Sequence, residues 1–367
     1  MKNTFGSSIS VTLFGESHGE EIGAVLDGLA PGIPVDEEAI RHALSLRRPS
    51  GELSTKRQEQ DAFRIVSGVF RGKTTGAPIT VLIENTAKRS ADYESGDRMA
   101  RPSHADYTAF VKYHGFEDYR GGGHFSGRLT APLVALGAIV RTALAEKGIT
   151  LGTHIAELGE ISDRPFENAM QDIAALDEMI FPVLSPDASE RMQAYIRTAA
   201  GDGDSVGGVL ESVVLGMPAG VGEPFFDSVE SILSHMLFSI PAVKGVSFGA
   251  GFDFAKMKGS EANDPFRNQN GKVVTSTNRN GGILGGITSG MPLLFRTAIK
   301  PTPSIFKEQE TVLLGSGENA VLKVHGRHDP CIVHRARAVV DACTALALAD
   351  LLALRYGTDY FFREKGN

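Results

Sequence analysis

Two helical stretches far apart in the chain limit how it can fold. One runs from about Gly127 to Lys147 and is stopped by Gly148. The other, the longest, begins after Asp329 and carries Val339, Val340, Leu346, Leu348 and Leu352. The strand candidates are short. Ser8–Phe14, Ile22–Leu26, Phe63–Phe70 and Ile79–Ile83 precede the first helix, and Gly208–Leu215, Gly245–Gly249, Leu293–Ala298 and Leu322–Val324 lie between the two. Paired strands broken by long helical excursions predict an α+β fold with antiparallel sheets rather than a regular doubly wound parallel sheet. No composition shift marks a linker, so residues 1–367 read as a single domain. Three shorter helices are expected. Asp36 caps a run through Leu46 that Pro49 closes, Ser103 caps 104–114, and Asp227 with Glu230 forms a capping box before Ile232–Phe238. The polar, Asn/Gly-rich stretch Lys258–Asn280 reads as a lid or a plain surface excursion.

Three histidines sit in glycine-, serine- and arginine-rich islands: Gly15-Glu16-Ser17-His18-Gly19, Arg101-Pro102-Ser103-His104-Ala105-Asp106 and Gly326-Arg327-His328-Asp329-Pro330. Glycine admits a close backbone approach. Histidine exchanges protons near neutral pH, and arginine forks onto carboxylate or phosphate. Such islands, far apart in sequence, suggest one site built from several loops that binds an anion and moves protons. Each also has a plainer reading. Ser103 with Asp106 fits a helix cap and its third-position acid, and Asp329 before Pro330 fits a cap with proline in the first turn.

The formal net charge of −7 argues against a general nucleic-acid binder. Yet Arg41, Arg47, Arg48, Lys56, Arg57 and Arg64, then Lys88, Arg89, Arg98 and Arg101, then Arg327, Arg335 and Arg337 cluster beside the islands. That pattern favours a local anion pocket on an acidic body. No apolar run approaches the ~20 residues of a membrane span, and the start of the chain lacks a signal-peptide core. Cys331 and Cys343 cannot form a disulfide framework, so a cytoplasmic setting is expected.

Two further loops carry chemistry. Arg120-Gly121-Gly122-Gly123-His124-Phe125-Ser126-Gly127-Arg128 feeds a helix N-terminus, an arrangement that cradles anions. Lys300-Pro301-Thr302-Pro303-Ser304 offers an ammonium and two hydroxyls on a proline-stiffened turn, which suits a phosphate tail. Taken in order, these segments resemble the chorismate synthase family. The resemblance also rests on Asp27–Pro34, Arg47-Arg48-Pro49, Ser67–Phe70 with Thr74-Thr75-Gly76, Ile83–Thr86, Gly201–Gly208, Ala242–Gly245 and Gly285–Gly290. It spans essentially the whole chain.

The resemblance implies helices sandwiched between antiparallel β-sheets and a homotetramer. It implies a carbon–oxygen lyase that converts 5-enolpyruvylshikimate 3-phosphate to chorismate by 1,4-elimination of phosphate, the last step of the shikimate pathway. The family requires reduced FMN without net redox change. NADPH at the enzyme or an external flavin reductase would supply the electrons. Residue by residue, Arg47, Arg48, Arg101 and Arg128 match substrate-gripping positions. His18, with Ser17 beside it, matches the proton donor to the leaving phosphate. His104 matches the histidine at the flavin N1–O2 edge, and Asp329 matches an acid near N5. His124, Phe125, Ser126, Gly285, Lys300, Pro301, Thr302, Pro303, Ser304 and Arg327 match flavin-binding positions.

The chain departs from the family where the glycine-rich loop usually reads Gly-Gly-Gly-Arg-Ser-Ser-x-Arg. Here His124 replaces the arginine and Phe125 a serine. Leu53 falls near a basic ligand position in the stretch after Pro49. The rival readings are an FMN oxidoreductase or flavin-free phosphate lyase, a metal site built on His325-x-x-His328 with His334, and a non-enzymatic regulator that binds an anionic ligand.

Overall fold

A computed structural model describes residues 2–49, 53–54, 60–86, 98–323 and 329–362. The first part of the chain gives β1 (Thr4–Phe5), β2 (Ser10–Gly15), β3 (Glu21–Asp27), helix α1 (Glu37–Arg47), β4 (Phe63–Ser67), a small ribbon of β5 (Val69–Phe70) and β6 (Lys73–Thr74), and β7 (Ile79–Glu84). Helices α2 (Asp106–Tyr113) and α3 (Thr130–Glu146) follow, then β8 (Thr150–Leu158), β9 (Ile161–Ser162), α4 (Ala169–Asp177), α5 (Pro186–Gly201) and β10 (Gly208–Leu215). The last part holds α6 (Val229–Leu237), β11 (Val243–Phe248), α7 (Gly259–Ala262), the hairpins β12 (Phe266–Gln269) with β13 (Lys272–Thr275) and β14 (Ile283–Leu284) with β15 (Ile287–Thr288), β16 (Leu293–Ile299), the pair β17 (Gln309–Val312) and β18 (Asn319–Leu322), and α8 (Val333–Tyr356).

Two five-stranded antiparallel sheets form, ordered β1-β2-β3-β7-β4 and β11-β16-β10-β8-β9. Helix α3 packs on β3 and β7, α8 packs on β8 and β10, and the two helices pack on each other and on α1. The expected α+β sandwich is therefore present. Both long helices are buried nearly all round, as a helix between two sheets must be. They cross closely at Gly137, where an added Cβ would lie 2.4 Å from the Cβ of Ala342. The stretch Gly127–Glu146 is long and apolar enough to span a membrane by length and composition alone, but 78% of its apolar 18-residue window is buried inside the protein, as expected of a helix between two sheets.

Three expected caps are not formed. Ser103 adopts a left-handed φ of +58° and α2 begins later, with Ala105 as an N-cap that makes no side-chain bond. Asp329 precedes α8, whose N-cap is Ile332, also without a side-chain bond. Asp36 does cap α1, accepting from the Glu38 and Ala39 amides. At α6 the cap is Ser228, one residue after Asp227. The stretch Lys258–Asn280 contains α7 and the β12–β13 hairpin. The candidate strand Leu322–Val324 overlaps the end of β18, and Val324 lies outside the described residues.

A row of charges crosses the second sheet. Register places His154 opposite Glu211 and Glu211 opposite Arg296. His154 Nδ1 is 2.8 Å from Asp163 Oδ2, and its Nε2 is 3.4 Å from Glu211 Oε1. Arg296 donates to Glu211 at 2.7 Å. Burial alone would lower the His154 pKa, but hydrogen bonds to Asp163 and Glu211, with their charges, raise it above the usual value. The stabilisation is then complete below the unfolded pKa of ~6.5 and is lost as pH rises through the raised folded value. The melting-temperature gap between wild type and His154→Gln should therefore be widest below the unfolded pKa of ~6.5 and narrow as the pH is raised above it. A gap that stays constant or widens on raising the pH would contradict this.

Candidate active site

A cleft of about 890 Å³ opens where the glycine-rich loop, the start of α3, the end of α6 and the start of α8 meet. Leu129, Leu133, Met236, Ile240 and Val339 give it an apolar floor. Arg47, Arg101, His104, His124, Phe125, Ser126, Arg128, Lys300, Thr302, Pro303 and Asp329 line it. Eleven of the residues singled out from sequence are thus brought to one cavity.

His18 and Ser17 lie behind the glycine-rich loop, both buried. The Ser17 amide donates to Gly123 O at 3.1 Å, and the Ser17 hydroxyl donates to the carbonyls of Arg120 and Gly121. His18 Nδ1 is 3.3 Å from that hydroxyl. Gly121, at φ +60°, faces the imidazole so closely that an added Cβ would sit 2.1 Å from His18 Cε1. Asn85 pins the other side of the loop, donating to Glu16 O and Gly19 O at 3.0 Å each. Asp118 holds Arg120 at 2.8 Å, and that bond, with a smaller contribution from the His18 charge, keeps its carboxyl below the usual range.

His104 Nε2 is 2.8 Å from the hydroxyl of Ser304, which is buried behind it. The left-handed turn at Ser103 points its carbonyl at Lys300 Nζ, 2.6 Å away. Burial, and then the charge of Lys244, lower the Lys300 pKa. Asp106 acts through its charge: it grips Arg101 with two bonds of 2.7 and 2.8 Å. Burial would raise its pKa, but Arg101 outweighs burial and lowers it. His124 Nδ1 is 2.8 Å from the Gly15 carbonyl, an acceptor only, so Nδ1 carries the proton. Phe125 packs edge-on against Tyr113.

Arg128 is held on several sides. Its Nε donates to Asn85 Oδ1 at 3.1 Å, one Nη donates to Glu84 O at 3.0 Å, and the other pairs with Asp61. Arg47 donates to Arg128 O at 3.2 Å. Asp329 pairs with Arg335, whose Nε donates to Arg47 O at 2.9 Å.

Three other expected residues are not in the cleft lining. Arg48 instead faces Asp61 at 3.9 Å. Pro301 packs against the Gly207 backbone. Gly285 lies at the open turn between β14 and β15. Arg327 lies outside the described residues, as do His325 and His328 of the candidate metal site. His334, the third member of that set, bonds Ser54, and burial, with the charge of Arg335, lowers its pKa to about 3. Sequence reasoning missed Asp61, Asn85 and the clamp role of Asp106. Asp61 lies next to a basic cluster and Asn85 follows the end of β7, and no spacing rule marks either.

Asp329→Asn should damage turnover more than folding. Asp329 does not cap α8, so the helix start survives. The lost pairing with Arg335 is worth about 1 kcal/mol, whereas turnover is expected to fall about tenfold or more. A variant that melts several degrees lower yet turns over normally would make Asp329 structural.

A model of the chorismate synthase family matches residues 9–353. A chorismate synthase of Dehalococcoides mccartyi is 47% identical over 362 residues, covering 97% of this chain and 98% of that protein. One of Thermococcus gammatolerans is 48% identical over 350 residues, covering 95% and 97%. A crystal structure of chorismate synthase superposes with a TM-score of 0.77 at 28% identity, over 97% of each chain. By the family match and by near full-length identity, the chain belongs to the chorismate synthase family.

Proposed function

We propose that this chain is a lyase that eliminates phosphate from 5-enolpyruvylshikimate 3-phosphate across a 1,4 relationship to give chorismate, with reduced FMN in the cleft. One observation carries the reading. Arg47, Arg101, His104, Arg128 and Gly121, the glycine packed against His18, line a single cavity with an apolar floor. Its volume lies in the usual range of small-molecule sites.

The residues present fit a flavin. Thr302 Oγ is buried without a hydrogen-bond partner and its residue lines the cleft, next to the Lys300 ammonium. Both suit a phosphate-bearing cofactor, with Pro303, Ser304 and Ser126 beside them. Bound reduced FMN would supply transient electron density to the substrate without net redox change. Arg47, Arg101 and Arg128 bind the substrate's carboxylates and phosphate. His18 delivers a proton to the departing phosphate oxygen. His104 stabilises negative charge at the cleft wall, and Asp329 relays the proton that leaves the ring.

The reductant is either NADPH at this enzyme or an external reductase, and NADPH oxidation by the purified protein with FMN separates the two. The almost fully exposed Phe116, Phe225, Phe226 and Phe252 fit burial in a homotetramer. Two free buried thiols fit a cytoplasmic setting. FMN titration tests the cofactor assignment. The wild type should bind FMN, and Lys300→Ala should bind it about tenfold more weakly. A protein that binds no FMN, with or without substrate, would contradict the proposal.

A further inference from the structure

Asp61 lies between two distant parts of the anion site. It precedes β4 at a left-handed φ of +49°, with its side chain 1% exposed. Aspartate and asparagine tolerate that backbone best among non-glycine residues, and it persists where surrounding contacts over-determine it. Oδ1 is hydrogen-bonded to Arg128, at the turn that leads into α3. Oδ2 is 3.8 Å from Arg47 Nη1 and 3.9 Å from Arg48 Nε, at the end of α1. One buried carboxylate thus touches three guanidiniums from segments some eighty residues apart. Through Asn85, Arg128 is also tied to the backbone at Glu16 and Gly19 on either side of His18.

We propose that Asp61 is a positioning residue: its carboxylate is the internal counter-ion that draws Arg47, Arg48 and Arg128 together, and an entering phosphate or carboxylate takes over part of that role. The proposal rests on the anion-binding reading of the cleft. Like charges held close repel unless an opposite charge is shared between them. A shared carboxylate fixes the guanidiniums before the ligand arrives, which is what preorganisation requires. The consequence has two opposed signs. Removing the charge should strengthen binding of a foreign anion, because the three guanidiniums have lost the carboxylate they share. It should also weaken catalysis, because Arg128 is no longer fixed relative to His18.

Asp61→Asn tests this, since it keeps the side-chain shape and tolerates the left-handed backbone. The first probe is inorganic phosphate alone, read by melting temperature without flavin or substrate, so it does not depend on the assigned reaction. Phosphate should raise the melting temperature of Asp61→Asn more than that of wild type, with affinity about tenfold tighter. In steady-state assays kcat should fall about tenfold or more while KM does not rise. Asp61→Glu restores the charge but shifts it, so phosphate affinity should return to about the wild-type value while kcat stays low. Equal phosphate responses in wild type and Asp61→Asn would overturn the proposal, as would a raised KM with unchanged kcat. An Asp61→Asn protein that folds only in phosphate supports it. If that variant folds under no condition, Asp61→Glu decides, and wild-type kcat in that protein overturns the proposal.

Discussion

His18→Ala is expected to lower turnover by about 10² to 10⁴, the usual cost of losing a positioned general acid. Substrate affinity should change much less. Arg47, Arg101 and Arg128 line the cleft and are held by the Arg128 carbonyl, Asp106 and Asn85. Folding should be nearly intact, because the loop around His18 is held by backbone and side-chain bonds from Ser17 and Asn85. The separation appears as a fall in kcat with a nearly constant KM. A variant with wild-type kcat and only a raised KM would reassign His18 to binding.

Gly121→Ala should be almost as damaging, by a different route. The residue sits at φ +60°, where a non-glycine side chain costs about 1–2 kcal/mol. Its added Cβ would lie 2.1 Å from His18 Cε1, 2.3 Å from Nδ1 and 2.9 Å from Ser17 Oγ. The imidazole or the loop must move, and a misplacement of ~1 Å can cost ~10²-fold in rate. Gly122→Ala is the control. It carries the same kind of strain at φ +86°, but its Cβ would meet only Ser126 Cβ at 3.8 Å and an Arg101 nitrogen at 3.9 Å. It should lose comparable stability and keep turnover within about tenfold of wild type. Equal losses of kcat in both variants would show that backbone strain, not displacement of His18, is responsible.

The helices that build the centre of the fold were legible because local signals and burial agree. Asp36 caps α1, Gly148 follows the end of α3, and α8 is a long apolar run. Strand β8 was not legible. Both its faces are covered, so it shows no alternation, and its interior carries Thr153 and His154. Those side chains are satisfied only by distant partners: Ser212 and Asp341 for Thr153, Asp163 and Glu211 for His154. Two other elements carry local signals in the sequence. Ser185 followed by Pro186 opens α5, and Asn270-Gly271, both left-handed, turns the β12–β13 hairpin.

In the cleft, the histidines and most of the arginines stood out because glycine-rich loops surround them. Their mutual arrangement did not. Ser103 and Asp106 looked like cap residues, yet the first aims a carbonyl at Lys300 and the second grips Arg101. Asp61 meets its arginines only through tertiary structure.

The most direct test of the whole account is one anaerobic assay. The purified protein is given 5-enolpyruvylshikimate 3-phosphate and less than one equivalent of photoreduced FMN, and phosphate and chorismate are measured together. The account predicts equal amounts of the two products over many turnovers, with none when flavin is omitted or left oxidised without a reductant. Full turnover without flavin, or phosphate release without chorismate, would contradict it.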